Sequence, residues 1–146
     1  MTIEGGCRCG AVRYELATAD RPLTYACHCL VCQTWSGSAF ALHAILSDDA
    51  LSIRGTLHEL RLPDGQEAMP SDRIGCAACL TRIATRDPAL PSMIVLRAGT
   101  LDRSDEVEPA LHIWTRRKQA WLKIDEAIPT FEVSPTPAEF AAAVGR

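Results

Sequence analysis

Short stretches of alternating apolar and polar residues, separated by turn residues, run along most of this chain and predict strands more often than helices. From Ala11 to Leu16, Val12, Tyr14 and Leu16 alternate with Arg13 and Glu15. That period of two puts the apolar side chains on one face of a half-buried strand. Asp20-Arg21-Pro22 turns the chain, and Leu23 to Ala26 follows as a short strand. Phe40 to Leu46 is apolar almost throughout, which predicts a more buried strand, ended by Ser47-Asp48-Asp49. Leu57 to Leu62, the turn Pro63-Asp64-Gly65 and Gln66 to Met69 read as a hairpin whose second arm is weakened by Pro70. Arg73 to Cys76 and Thr81 to Thr85 flank a cysteine pair. Met93 to Ala98 is the clearest core strand, followed by a turn at Gly99-Thr100-Leu101-Asp102 and an acidic loop to Glu108.

The tail differs in kind. Thr136-Pro137-Ala138-Glu139 has the pattern of a capping box with proline at the first helical position, and Gly145 can close the helix. Phe140 and Val144, four residues apart, would be its docking face. Between Cys32 and Phe40, Ser36-Gly37 signals a loop over Thr34 to Ser38. The predicted fold is mainly β with one short C-terminal helix. The expected organisation is one domain over residues 1–132 and an extension over 133–146 that carries the helix.

Composition adds little beyond an ordinary globular character, with 47% hydrophobic and 23% charged residues in a chain of 146. A formal charge of −3, with Arg116-Arg117-Lys118 as the one basic run, argues against a nucleic-acid partner. Met1-Thr2-Ile3-Glu4 leads straight to the first cysteines without a signal-peptide pattern, and no apolar run is long enough for a bilayer. A reducing, cytoplasmic location is therefore expected, with no membrane partner. In that setting seven cysteines are poor material for disulfides and good material for metal.

All seven cysteines fall in tight groups: Cys7-x-Cys9, Cys27-His28-Cys29-x-x-Cys32 and Cys76-x-x-Cys79. The outer pairs, Cys7, Cys9, Cys76 and Cys79, have the composition of a closed, structural tetrahedral zinc site. In an extended segment, Cys7 and Cys9 would point the same way and present both sulfurs to one ion. The inner group, Cys27, Cys29 and Cys32, has three thiolates and no eighth cysteine to complete it. His28 lies between two ligands, where strand alternation points it away, and His43, His58 and His112 are remote in sequence. Either a histidine closes the site, or the fourth position is left for water or substrate, which is the catalytic pattern. Trp35, Trp114 and Trp121 read as core or rim aromatics, and Trp35, His112 and Trp114 as candidate walls of a cleft at the triad. Arg116 and Lys118 could meet a substrate carboxylate there.

With these residues in view, the chain resembles the glutathione-dependent formaldehyde-activating enzyme family, which includes the centromere protein V type of domain. The resemblance runs from Gly5-Gly6-Cys7-x-Cys9-Gly10-Ala11-Val12 through Cys27-His28-Cys29-x-x-Cys32 to Cys76-x-x-Cys79. It continues in Ala98-Gly99-Thr100-Leu101-Asp102 and His112-Ile113-Trp114 and fades after Phe131. It implies a β-tent fold of small antiparallel sheets around zinc. It also implies a structural zinc on Cys7, Cys9, Cys76 and Cys79 and a catalytic zinc on Cys27, Cys29 and Cys32. The activity implied is that of a carbon–sulfur lyase, with S-(hydroxymethyl)glutathione made from glutathione and formaldehyde as the named case.

Two positions depart from the family pattern. Leu80 stands after the last cysteine, where a zinc knuckle favours glycine and a left-handed backbone. Gln33 stands after the third central cysteine, where a cation is usual. The competing reading is a non-catalytic interaction module in which both zinc sites are structural. An apolar capped helix in the tail, where a basic segment would suit such a module, favours the enzyme.

Overall fold

The structure, a computed structural model, describes residues 2–18, 20–62 and 71–145. In chain order its strands are β1 (Ile3–Gly6), β2 (Arg13–Leu16), β3 (Leu23–Cys27), β4 (Ala41–Ser47) and β5 (Leu51–Arg54). They continue as β6 (Leu57–Leu62), β7 (Ser71–Cys76), β8 (Arg82–Arg86), β9 (Met93–Arg97) and β10 (Leu111–Ile113). Two seven-residue helices, α1 (Leu30–Ser36) and α2 (Pro137–Ala143), complete them, with single turns of 3-10 helix between. The strands assemble into two sheets, so the mainly β prediction holds. The chain divides into two units, Met1–Leu23 with Ala44–Val107, and Thr24–His43 with Glu108–Arg146.

In the first unit β1, β2 and β5 form an antiparallel sheet in that order. Val12, Tyr14 and Leu16 are buried, as their alternation predicts. Tyr14 pairs with Gly5 across the sheet and hydrogen-bonds Thr100 Oγ1 through its hydroxyl at 2.8 Å. A Cβ at Gly5 would collide with the Tyr14 ring and the Thr100 carbonyl, so only glycine fits there. The strands β9, β8, β7 and β6 follow one another in the larger sheet, all antiparallel, and bury Ile74, Ile83, Ala84, Ile94 and Leu96. The partner of Leu57–Leu62 is Ser71–Cys76, with Leu57 opposite Cys76. The expected turn Pro63-Asp64-Gly65 and the expected arm Gln66 to Met69 lie outside the described residues. The strands β1, β5 and β10 went unpredicted: β1 and β5 are short and glycine- or polar-rich, and β10 has only three residues.

In the second unit β10 lies parallel to β3, with Leu111, His112 and Ile113 opposite Tyr25, Ala26 and Cys27. The pairings β1–β2, β2–β5, β6–β7, β7–β8 and β8–β9, by contrast, are antiparallel. The helix α1 corrects the expected loop over Thr34 to Ser38. Its N-cap is Cys29, whose sulfur accepts the Cys32 N–H, and its C-cap is Gly37 in the left-handed region at φ 64°. A cysteine thus takes the place that serine or aspartate usually fills at a helix start. The tail helix forms as predicted. The Thr136 hydroxyl takes the Glu139 N–H while the Glu139 carboxylate takes the Thr136 N–H, and Pro137 begins the helix. Phe140 and Val144 pack against a buried cluster that contains Cys27, Cys29, Cys32, Ala41, Leu111 and Ile113.

Candidate metal centres

In the first unit the folding of β6 to β8 delivers Cys76 at the end of β7 and Cys79 in the turn after it. That turn is held by Leu80 N–H to Cys76 O at 2.9 Å and Cys76 N–H to Thr81 O at 2.9 Å. Cys7 and Cys9 arrive in a second turn, closed by Gly10 N–H to Cys7 O at 3.1 Å. They do not lie in the extended segment expected from their spacing; Gly10, at φ 80°, lets the chain fold back instead. All four sulfurs lie within 4.8 Å of one another, with Cys7 to Cys9 at 3.5 Å and Cys9 to Cys76 at 3.8 Å. A tetrahedral ion bound at a zinc–sulfur distance of about 2.3 Å requires sulfurs roughly 3.8 Å apart. The donor set and its spacing fit.

The surroundings suit thiolates as well. Backbone N–H groups point at sulfur from Val12 to Cys7 at 3.2 Å and from Ala78 to Cys76 at 3.3 Å. Thr81 Oγ1 lies 3.1 Å from Cys79 Sγ, accepts the Arg8 N–H at 3.2 Å, and brings the Cys79 thiol down to about 5. Leu80 does adopt the left-handed backbone, at φ 61°, with its side chain 70% exposed. The turn is kept at the cost of strain. Left-handed backbone costs a non-glycine residue about 1–2 kcal/mol, and little packing is at stake in so exposed a side chain. Leu80→Gly is therefore expected to raise stability by about 1 kcal/mol, after the entropy cost of glycine, as a higher midpoint in denaturant unfolding.

The second cluster lies in the second unit. Cys27 ends β3, Cys29 caps α1 and Cys32 sits in its first turn, so one strand-to-helix junction gathers three sulfurs within 4.8 Å. All three cysteines are buried. Hydrogen bonds from the Cys27 and Cys32 thiols, aided by the backbone N–H groups of Cys32 and Val31, hold the Cys29 thiol far below its ordinary range. Cys27, in turn, is pushed up by its hydrogen bond to Cys29 and then by Cys32 and burial. Close-packed thiols that stabilise one anion so strongly are suited to a cation that would satisfy all three. Among the described residues no fourth His, Cys, Asp or Glu atom joins this group.

The histidines find other places. His28 points away from its neighbours' sulfurs, as alternation predicts. Its Nε2 lies 2.8 Å from His112 Nδ1, and its ring stacks on His112 and tilts against Phe40. Burial, then the nearby His112 and Lys118, hold His28 down to about 4, and burial lowers His112 too. Both rings are neutral near pH 7. His28 Nδ1 is buried with no hydrogen-bond partner among the described residues, and a bare lone pair there costs less than a buried N–H. The tautomer that results has His28 Nε2–H donating to His112 Nδ1. His112 therefore serves as a partner for His28. His43 Nε2 approaches Cys32 Sγ at 3.4 Å, and this contact was not foreseen in the sequence.

Gln33 is not a vacancy left by a cation. Its Nε2 donates to the carbonyls of His28 at 2.7 Å and Arg117 at 2.9 Å, and its Oε1 accepts from Gln119 at 3.3 Å. It ties the triad helix to the segment after β10. Lys118 Nζ is spent on the carbonyls of Gln119 and Leu122, while the Arg116 guanidinium lies 4.9 Å over the Trp114 ring. Trp114 packs against the cluster that holds the triad; Trp35 and Trp121 are exposed.

The fold and the two centres define a mainly β protein whose cysteine clusters could each hold a metal ion, a donor set consistent with zinc. The chain belongs to the glutathione-dependent formaldehyde-activating enzyme family, whose model matches residues 2–117. A Halomonas elongata protein named "Putative glutathione-dependent formaldehyde-activating enzyme" is 28% identical over 131 residues, covering 86% of this chain and 82% of that one. A crystal structure of a Rhodobacter sphaeroides protein is similar with a TM-score of 0.52 and 21% identity, over 73% of this chain and 91% of its own. That likeness concerns the fold. No helix among the described residues is long and apolar enough to cross a membrane.

Proposed function

We propose that this chain is a zinc-dependent carbon–sulfur lyase, with glutathione and formaldehyde as the thiol and electrophile that the family's description points to. The observation that carries the proposal is the triad: three buried sulfurs within 4.8 Å and no fourth ligand among the described residues. In this reading Cys7, Cys9, Cys76 and Cys79 hold one structural zinc, and Cys27, Cys29 and Cys32 hold a second whose remaining position takes the substrate thiol. Residues 1–132 form the catalytic domain and 133–146 an extension. The reducing cytoplasm is the compartment that keeps all seven thiols available.

Cys27, Cys29 and Cys32 would hold the ion at a net local charge of about −1, and it would supply a soft, weak Lewis acid that favours a thiol over water and lowers the thiol's pKa. The chain's own residues bind and orient. The strand-to-helix junction fixes the three sulfurs, Gln33 anchors α1 through two carbonyls, and Arg116 over Trp114 is the cation assigned to a carboxylate of the thiol substrate. In the synthetic direction the thiol sulfur forms a bond to the formaldehyde carbon, the carbonyl pair moves to oxygen, and the thiol proton ends on the new hydroxyl. The reverse breaks the same bond. Burial of the triad favours a second reading, a module with two structural sites and no substrate.

Titration with reduced glutathione separates the two. Wild type is expected to bind with a change in metal–thiolate absorbance, and Cys29→Ser to lose at least tenfold in affinity, the equivalent of about 1.4 kcal/mol. Equal affinity in both proteins would mean that the triad is not the thiol site.

A further inference from the structure

His43 has no part in the proposal above, yet it is one of the few buried polar side chains and its ring reaches a triad sulfur. It lies on β4, is 4% exposed, and places Nε2 3.4 Å from Cys32 Sγ with the Tyr25 ring 5.2 Å from its own. Its ring nitrogens do not join the group of atoms that lie within 4.8 Å of one another, so it stands beside the triad and not in it. We infer that His43 is a positioning residue for the triad, its Nε2–H donating a hydrogen bond to the Cys32 thiolate. The inference rests on the reading that the triad holds a metal ion.

The direction of the hydrogen bond follows from the acceptor. A metal-bound cysteine is a thiolate with no proton to give, so the proton between them must sit on Nε2, which fixes the neutral Nε2–H tautomer. A donor to a ligating sulfur favours its thiolate form and holds it in the direction that binding requires, so its loss would weaken the hold of the three sulfurs on the ion. Cys29 has its own donor in the Cys32 N–H at 3.3 Å, so two of the three sulfurs carry an N–H contact from different sources. The Cys32–His43 contact ties α1 to β4, which fixes the sulfur's direction as well as its charge.

Loading the full chain with the magnetic cadmium isotope and recording the histidine ring nitrogens by NMR tests this directly in the wild type. The expected result is an Nε2–H tautomer for His43 and a scalar coupling from that proton to the triad cadmium. A second measurement compares His43→Phe, which keeps the ring and loses the donor, with His43→Gln, which keeps an N–H. Competition titration with cobalt is expected to show about a 10–100-fold loss of triad affinity in His43→Phe, a shifted sulfur-to-cobalt charge-transfer band, and recovery of most of both in His43→Gln. An Nδ1–H tautomer, no coupling, or equal losses in the two variants would overturn the inference while leaving the triad as a metal site. A triad that binds no metal would overturn the proposed function, and this inference with it.

Discussion

Cys76→Ser is expected to unfold the chain under conditions where Cys29→Ser stays folded and loses thiol binding. Cys76 is fully buried at the end of β7, opposite Leu57 of β6, and its sulfur accepts the Ala78 N–H. It shares a cluster with Cys9, 67 residues earlier in the chain. An ion bound by four sulfurs closes that long loop, and structural zinc contributes on the order of 10 kcal/mol, more than the total stability of many domains of this size. Removing one ligand would leave three thiolates around a weakly held ion, so the long loop would no longer be closed. Cys29 differs because its second task survives replacement. Its sulfur caps α1 by accepting the Cys32 N–H, and serine is itself among the preferred N-cap residues. The helix start therefore persists while one metal ligand is lost. Far-ultraviolet circular dichroism through thermal unfolding, with zinc counted per chain, checks the pair. If the two variants unfold alike, the division into a fold-bearing and a reactive centre is wrong.

How much of this was legible in the sequence depends on how local the cause was. The cysteine groups were, because ligand spacing is written along the chain, and so was the C-terminal helix, whose capping box and proline lie within four residues. The strands β2, β4 and β9 follow from alternation or from a continuous apolar run. The helix α1 was hidden because its cap is a cysteine and it spans seven residues that include Val31 and Thr34, both poor helix formers. Ser36-Gly37, read as a loop, is the end of that helix. The parallel pairing of β10 with β3, the His28–His112 contact and the approach of His43 to Cys32 join segments through packing that no local pattern encodes. The Leu80 departure was legible in advance: the strain it implied is present at φ 61°.

Phe140→Ala is expected to speed the loss of metal from the triad by about tenfold without changing its loss from the four-cysteine cluster. Exposure alone would put the order of release the other way, since Cys9 is exposed and Cys79 half-buried whereas Cys27, Cys29 and Cys32 are all buried. On the proposed division of the cysteines, ligand number outweighs it, because a fourth thiolate would have to dissociate from one centre while the other would need only access. Access to the triad passes through its packing. Phe140, Ala143 and Val144 of the C-terminal segment pack against the cluster that contains it, and Phe140 meets Tyr25 edge to face at 6.0 Å. The helix that carries Phe140 is seven residues long and buries none of them fully. A helix so short does not hold in water by itself, so its docking is what keeps it formed and its opening is cheap. Truncating a half-buried phenylalanine removes about 1–2 kcal/mol of that docking, less than the 3–5 kcal/mol of a fully buried one. A loss of about 1.4 kcal/mol raises the open population tenfold. Stopped-flow mixing with a coloured chelator reads both phases at once. The fast, triad phase should accelerate in Phe140→Ala and the slow phase should not; a fast phase identical to that of wild type would show that the tail does not govern access to the triad.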